Sequence, residues 1–304
     1  MNEKFTQKLK FVLVILIVFF VVELTAGFLT NSLALISDAG HMVTDIFAIV
    51  VSLLGFKIAV SRSTKNKTYG FYRAEIIAAF INGILLILIS GYILIEAFER
   101  LKNPPVVKGL EMLLVATAGL IANIIASAIL FSERRKNLNM RAAYLHVLSD
   151  ALGSIGAISA GIVIILTKWF YADILASFLI SAIIAYNSIR LLKDSINILM
   201  EGVPSDVDID KIANELLKIP EVIAVHDLHI WTLASGKNIL TAHVRVKGEI
   251  DRKKLNALLN EIETTIKESS NIEHTTIQIE SATFDAEFII PDIKEKTANK
   301  LNQN

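Results

Sequence analysis

Residues 37–45 read SDAGHMVTD, and they lie between two long apolar stretches where water should be scarce. Three of these nine residues are ionisable, namely Asp38, His41 and Asp45. Later in the chain, YLHVLSD repeats the histidine-to-aspartate spacing with His146 and Asp150. Ionisable residues inside a membrane span are costly, and they normally face the bundle interior or a water-filled cavity, where they serve a function.

The composition supports a membrane environment. The chain has 304 residues, a mean hydropathy of +0.55 and no net charge. A soluble domain of this size rarely averages so apolar, which predicts an integral membrane protein. The chain contains no cysteine, which excludes disulfides, thiolate metal sites and cysteine nucleophiles. Any metal ligands must therefore come from other side chains, foremost His, Asp and Glu.

Six apolar stretches reach the length of about 20 residues that a membrane helix needs. They are residues 10–30, 33–60, 74–98, 109–132, 140–167 and 171–199. Lys and Arg are concentrated at the N-terminus and in the loops after the second and fourth stretches. Because cytoplasmic loops carry the excess of basic residues, we expect both termini to be cytoplasmic.

The composition becomes polar after Glu201, and the periodicity there predicts a small α+β domain. Its elements, in the order α-β-β-α-β, are residues 208–219, 221–234, 238–246, 251–268 and 274–280. The expected organisation is a six-helix all-α transmembrane domain (1–203), a cytoplasmic domain (204–285) and a polar, disordered tail (286–304).

The two histidine-aspartate pairs have the spacing of metal ligands on helices. Residues four apart lie on one helix face, so each pair points one way. If the second and fifth spans face each other, two imidazoles and two carboxylates from His41, Asp45, His146 and Asp150 converge. Two nitrogen and two oxygen ligands in a tetrahedron suit Zn²⁺, and would also accept Co²⁺ or Cd²⁺. Cu(I) prefers sulfur ligands, and Mg²⁺ an all-oxygen octahedron.

Two other interpretations remain open for these pairs. They could be hydrogen-bonded pairs that stabilise helix packing, or a proton relay without metal. Protons also belong to the metal hypothesis, because His and Asp bind metal in their deprotonated forms. Asp38 and Glu23 are candidates for hydrogen bonding to the ligands or for passing protons, although interhelical hydrogen bonds could equally explain them.

Five segments resemble the cation diffusion facilitator family, and in particular its bacterial zinc/cadmium/cobalt efflux branch. They are SLALISDAGHMVTD, YGFYRAEI, HVLSDALGS, HDLHIWTL and HTTIQIE. The resemblance covers about residues 8–283. It implies a homodimer of six-helix protomers in a bacterial inner or plasma membrane, each with a cytoplasmic domain of copper-chaperone-like fold. It also implies export of divalent metal by proton antiport and alternating access.

The resemblance assigns residues to two metal centres. His41, Asp45, His146 and Asp150 match the transport site of the family. In the cytoplasmic domain, His226, His243 and Glu280 match positions that bind metal in some relatives. Two imidazoles and a carboxylate on three strands could hold Zn²⁺, although they could also be ordinary polar surface residues. Gln278 stands where some relatives have another ligand, which puts a two-metal cluster in doubt.

The sequence therefore predicts a proton-coupled Zn²⁺ exporter, with Cd²⁺ or Co²⁺ as further substrates. Its expected partners are metal ions, protons, the lipid bilayer and a second copy of the chain, without nucleic acid. One alternative is a membrane zinc sensor or scaffold that does not transport. The other is an intramembrane zinc enzyme, which the pattern disfavours because four protein ligands leave no open position for water. We accordingly expect no enzymatic activity.

Overall fold

The computed structural model describes residues 3–59, 64–131, 138–234, 236–248, 251–270, 272 and 274–281. The predicted tail, 286–304, lies outside the described residues. The chain divides into two compact units, Met1–Ser195 and Ile196–Asn304.

Six long helices form the first unit and the start of the second. They are α1 Glu3–Thr30, α2 Leu33–Ala59, α3 Arg73–Arg100, α4 Gly109–Phe131, α5 Leu138–Thr167 and α6 Tyr171–Leu199. The shortest has 23 residues, which at about 1.5 Å per residue exceeds the hydrocarbon thickness of about 30 Å. Within the described part of the chain, three stretches combine this length with membrane-like hydropathy: Lys10–Thr30, Arg73–Arg100 and Tyr171–Leu199.

The helices bury several polar groups and expose many large apolar side chains, unlike a typical soluble protein. Large side chains such as Phe28, Leu88 and Leu166 are more than 60% exposed, which is expected for a surface that faces lipid. Asn82 and Asn123, by contrast, are buried. In a bilayer, buried polar side chains and small residues hold helices together, because apolar packing gives no advantage over lipid.

The N-terminal end of α2 is capped by a carboxylate from a different helix. Asp173, in the first turn of α6, is completely buried. It accepts hydrogen bonds from the Ser32 hydroxyl at 2.6 Å and from the backbone N–H groups of Leu33 at 2.8 Å and Ala34 at 3.2 Å. The first N–H groups of a helix have no partner within the helix, so Asp173 satisfies donors that burial would otherwise leave unpaired.

Arg100 extends this connection to the end of α3. Its Nη1 donates to the carbonyl of Asn31 at 2.8 Å, in the turn between α1 and α2, and its Nε donates to Glu96 at 2.8 Å. The ends of α1, α2, α3 and α6 are therefore linked at one corner of the bundle.

Replacing Asp173 by Ala should lower the free energy of unfolding by about 2–4 kcal/mol, because three buried donors lose their acceptor. Thermal unfolding of the detergent-solubilised protein would report this as a lower midpoint. Asp194→Ala, at an exposed position on the same helix, is the matched control and should leave the midpoint unchanged. Equal midpoints for the two variants would show that the cap contributes nothing.

The second unit contains a small α+β domain whose element order confirms the predicted α-β-β-α-β. Its elements are α7 Ile209–Leu216, β1 Val222–Ala234, β2 Lys237–Val246, α8 Arg252–Ser270 and β3 His274–Ser281. The sheet order is β1-β2-β3, antiparallel between β1 and β2 and parallel between β2 and β3. The core includes Leu216, Leu240, Val244 and Ile262, so α7 and α8 pack against the same sheet face.

Side-chain caps begin both helices of this domain. Asp208 accepts a hydrogen bond from the backbone N–H of Lys211 at 3.1 Å at the start of α7. At the start of α8, backbone hydrogen bonds from Lys254 and then Lys253 hold the pKa of the Asp251 carboxyl below its usual range. Each carboxylate thereby satisfies backbone N–H groups in the first turn that have no partner within the helix.

Candidate metal centres

The first candidate centre lies on α2. Asp45 and Asp38 are buried at 4% exposure, and His41 is half-buried. His146 and Asp150 lie on α5, but their side chains are outside the described part of the structure. Helices α2 and α5 are in contact, so the structure makes their backbones neighbours. The convergence of the four side chains remains a prediction.

One hydrogen bond shows which residues of α2 and α5 lie opposite each other. The Ser154 hydroxyl on α5 donates to Asp38 Oδ2 on α2 at 3.1 Å. Because successive membrane helices cross in opposite directions, α2 and α5 are antiparallel. The turn that follows Asp38 on α2 carries residues 41–45, and the turns that precede Ser154 on α5 carry residues 146–150. The backbone segments 41–45 and 146–150 therefore lie on the same side of the Asp38–Ser154 contact.

A second buried carboxylate lies beside Asp38. Glu23 on α1 is 1% exposed and interacts electrostatically with Asp38. Two glycines make room for these groups: a Cβ at Gly119 would collide with Glu23 Oε1, and one at Gly153 would lie 2.6 Å from Asp38 Oδ1. Four helices, α1, α2, α4 and α5, thus enclose a polar cluster next to the level of the paired motifs.

Gly153→Ala should displace the Asp38 carboxylate and break its hydrogen bond with Ser154. Overpacking of this kind costs about 1–3 kcal/mol, which thermal unfolding in detergent would measure. Gly91→Ala on α3 is the control, because its new Cβ would meet open space. That variant should be neutral or more stable by up to about 1 kcal/mol. A Gly153→Ala protein as stable as the control would contradict the close packing inferred here.

The second candidate centre lies on the sheet of the small α+β domain. His226 Nε2 is 2.8 Å from Glu280 Oε2, and His243 Nδ1 is 2.9 Å from Glu280 Oε1. All three residues offer ligand atoms that lie within 4.8 Å of one another. Zn²⁺ binds imidazole nitrogen and carboxylate oxygen at about 2.0–2.2 Å, so small shifts would allow these atoms to surround one ion. Three protein ligands would leave a fourth position of such an ion open.

Strand pairing explains why these three residues meet. His226 and His243 are direct partners across β1 and β2, and Gln278 is the partner of His243 on β3. Side chains alternate between the faces of a strand, so Glu280 lies on the same face as Gln278. This is the face opposite α7 and α8, since Val244 and Ile279 on the alternate positions pack in or against the core.

Three further polar residues surround this centre. Gln278 Nε2 donates to Glu280 Oε1 at 3.0 Å, so its side chain contacts the carboxylate of the centre. Asp227 Oδ1 is 2.9 Å from His229 Nε2, and Asp227 Oδ2 is 3.5 Å from His243 Nε2. Sequence patterns did not indicate Asp227, because a regular strand would place it on the face opposite its neighbour His226.

A β-bulge brings Asp227 to the same face as His226. The pairing of β1 with β2 shifts between His226 and His229, where β1 has one extra residue. Asp227 has a φ of 49°, in the left-handed region that Asp and Asn tolerate better than most residues. An Asp directly after a strand histidine is compatible with such a bulge, and this was the only sequence signal for it.

Comparisons with known proteins identify both parts of the chain. Residues 9–200 match the family model described as the cation efflux transmembrane domain, and residues 204–282 match that of the cation efflux protein cytoplasmic domain. The dimer-forming character of the second family supports a homodimer.

Three curated relatives cover most of the chain. The cadmium, cobalt and zinc/H(+)-K(+) antiporter of Bacillus subtilis (strain 168) is 43% identical over 283 residues, covering 92% of this chain and 91% of the relative. The metal cation efflux system protein CzcD of Cupriavidus metallidurans is 41% identical over 91% of this chain and 87% of its own. The zinc transporter ZitB of Escherichia coli (strain K12) is 43% identical, with 86% and 83% covered. The chain therefore belongs to the cation diffusion facilitator family of integral inner-membrane transporters, in its zinc/cadmium/cobalt efflux branch.

Proposed function

We propose that this protein exports Zn²⁺ from the cytoplasm in exchange for protons, with Cd²⁺ and Co²⁺ as further substrates. The observation that supports the proposal is the Asp38–Ser154 hydrogen bond, because it joins α2 to α5 next to the helix segments that carry the two histidine-aspartate pairs. The names of the relatives, which include zinc, cadmium, cobalt and proton antiport, support the same metals and coupling for this chain.

In this proposal the transported ion binds His41, Asp45, His146 and Asp150. Two imidazoles and two carboxylates complete a tetrahedron around Zn²⁺, and they neutralise the charge of the ion within the bilayer. The helix bundle then changes between arrangements that open the site to one side or the other. Residues 1–203 form this transport domain, and residues 204–285 form the metal-binding and dimerisation domain, followed by the tail.

Proton exchange follows from the chemistry of the ligands. Histidine and aspartate bind metal only when deprotonated, so loading releases protons and reprotonation on the far side expels the ion. Glu23 and Asp38 supply carboxylates for proton transfer beside the site. Two adjacent carboxylates buried among membrane helices are costly unless a proton or cation is shared between them, which suits a group that exchanges protons.

The cytoplasmic residues His226, His243 and Glu280 form a second Zn²⁺ centre in this proposal. Their donor atoms are the types that Zn²⁺ prefers and already lie close together. Metal bound here would stabilise the domain, because the ion binds the folded arrangement and not the unfolded chain. The centre can thereby link metal load in the cytoplasm to the stability of the dimer.

Asp45→Ala should reduce zinc uptake to the level of protein-free vesicles, because the site loses a ligand and the compensating negative charge. The measurement is uptake into proteoliposomes with an acidic interior, followed with an encapsulated zinc dye. Glu111→Ala, at an exposed position on α4, should retain wild-type uptake. Wild-type uptake by Asp45→Ala would remove Asp45 from the site, and wild-type protein that binds zinc without any pH-driven uptake would indicate a sensor.

His41→Asp should weaken the preference for Zn²⁺ over Mn²⁺, because a harder oxygen ligand replaces an imidazole. Competition by Mn²⁺ against zinc uptake in the same vesicles measures the preference. An unchanged competition profile would argue that His41 is not a ligand.

A further inference from the structure

His243 has a carboxylate at each of its ring nitrogens. Nδ1 is 2.9 Å from Glu280 Oε1, and Nε2 is 3.5 Å from Asp227 Oδ2. A neutral imidazole has one N–H and one bare nitrogen, and only the bare nitrogen can bind a metal ion. The carboxylate that accepts the N–H of His243 therefore decides which ring nitrogen is left to bind a metal ion.

The bulge in β1 holds Asp227 beside Nε2. Val225 and Leu228 pack against the domain core, so the extra residue puts both His226 and Asp227 on the opposite face. The second oxygen of Asp227 is 2.9 Å from His229 Nε2. Two features thus fix the position of the carboxylate: the left-handed backbone conformation of Asp227, with φ 49°, and the contact with His229.

We propose that Asp227 is a positioning residue of the cytoplasmic metal centre. It accepts the Nε2–H of His243 and thereby leaves Nδ1 bare for a metal ion shared with His226 and Glu280. This inference rests on the metal-binding role proposed above for those three residues. Metal-binding histidines commonly donate their other N–H to a carboxylate, and loss of that partner typically weakens metal affinity about 10–100-fold.

Asp227 acts in this arrangement through His243 and not as a ligand itself. Within the described residues, the group whose donor atoms all lie within 4.8 Å of one another contains His226, His243 and Glu280 but not Asp227. Its oxygens approach His243 at Nε2, whereas Glu280 approaches at Nδ1. A metal ion on the Glu280 side of the ring is therefore separated from Asp227 by the imidazole.

The experiment uses the full chain in detergent, in an Asp45→Ala background that removes the transport site. Zinc affinity is measured by competition with a chromophoric chelator. Asp227→Asn should weaken binding about 10–100-fold while keeping the left-handed backbone, which Asn also tolerates. Asp227→Gly should show the same loss although it relieves the backbone. Asp210→Asn, exposed on α7, is the charge-matched control and should bind like the parent.

Weaker zinc binding in an Asp227 variant could also come from a general loss of structure. Measuring the tautomer of His243 distinguishes the two explanations. In the zinc-loaded parent, ¹⁵N-histidine NMR should show His243 bound through Nδ1 and protonated at Nε2, and Asp227→Asn should lose this preference. Coordination through Nε2 in the parent, or parental affinity in either Asp227 variant, would overturn the inference.

A further variant tests whether the metal centre exists at all, independently of the role of Asp227. His226→Ala in the same background should lose most zinc binding at this centre. If it binds zinc as tightly as the parent, the proposed cytoplasmic centre is wrong. If His226→Ala loses binding but both Asp227 variants retain it, the centre stands and only the role of Asp227 is wrong.

Discussion

The hydrogen bond from Ser154 to Asp38 joins two helices that are far apart in the sequence, and the proposed transport chemistry depends on it. It shows that α5 meets α2 close to the backbone segments that carry the two histidine-aspartate pairs. Such a bond is favourable in a membrane because apolar surfaces gain little by leaving lipid for each other, so polar contacts and close packing determine how helices meet. Gly153 and Gly119 contribute by leaving space for the carboxylates of Asp38 and Glu23.

The cytoplasmic domain assembles its polar centre differently, through strand register. The sheet face toward α7 and α8 is apolar, so the alternate positions of all three strands are free to carry ligands on the other face. At the bulge in β1 this alternation is interrupted, and Asp227 lies on the face that carries His226 and His243. A residue in an unfavourable backbone conformation is retained when surrounding contacts hold it there, and the contacts with His229 and His243 are of that kind.

Several features could be read from local patterns alone. Apolar length predicted the membrane helices, and changes of periodicity predicted the elements of the α+β domain, because these signals come from neighbouring residues. The cap on α2 could not be predicted this way. Ser32 is a residue type that commonly begins a helix. Its acceptor, Asp173, lies 141 residues later, and the sequence around Asp173 indicates only an acidic residue near the start of another helix. Asp227 was missed because bulges depend on the partner strand.

By itself, the sequence determined the membrane class, the six-helix and α-β-β-α-β organisation, and the residue types and spacing suited to Zn²⁺. These follow from hydropathy, helical and strand periodicity, and ligand chemistry, which act over short stretches of chain. Only the tertiary structure decided that α5 meets α2 at the level set by Asp38, and that Asp227 joins His226 on one sheet face. Contacts between distant segments depend on the packing and pairing of whole elements, which local residue patterns do not specify.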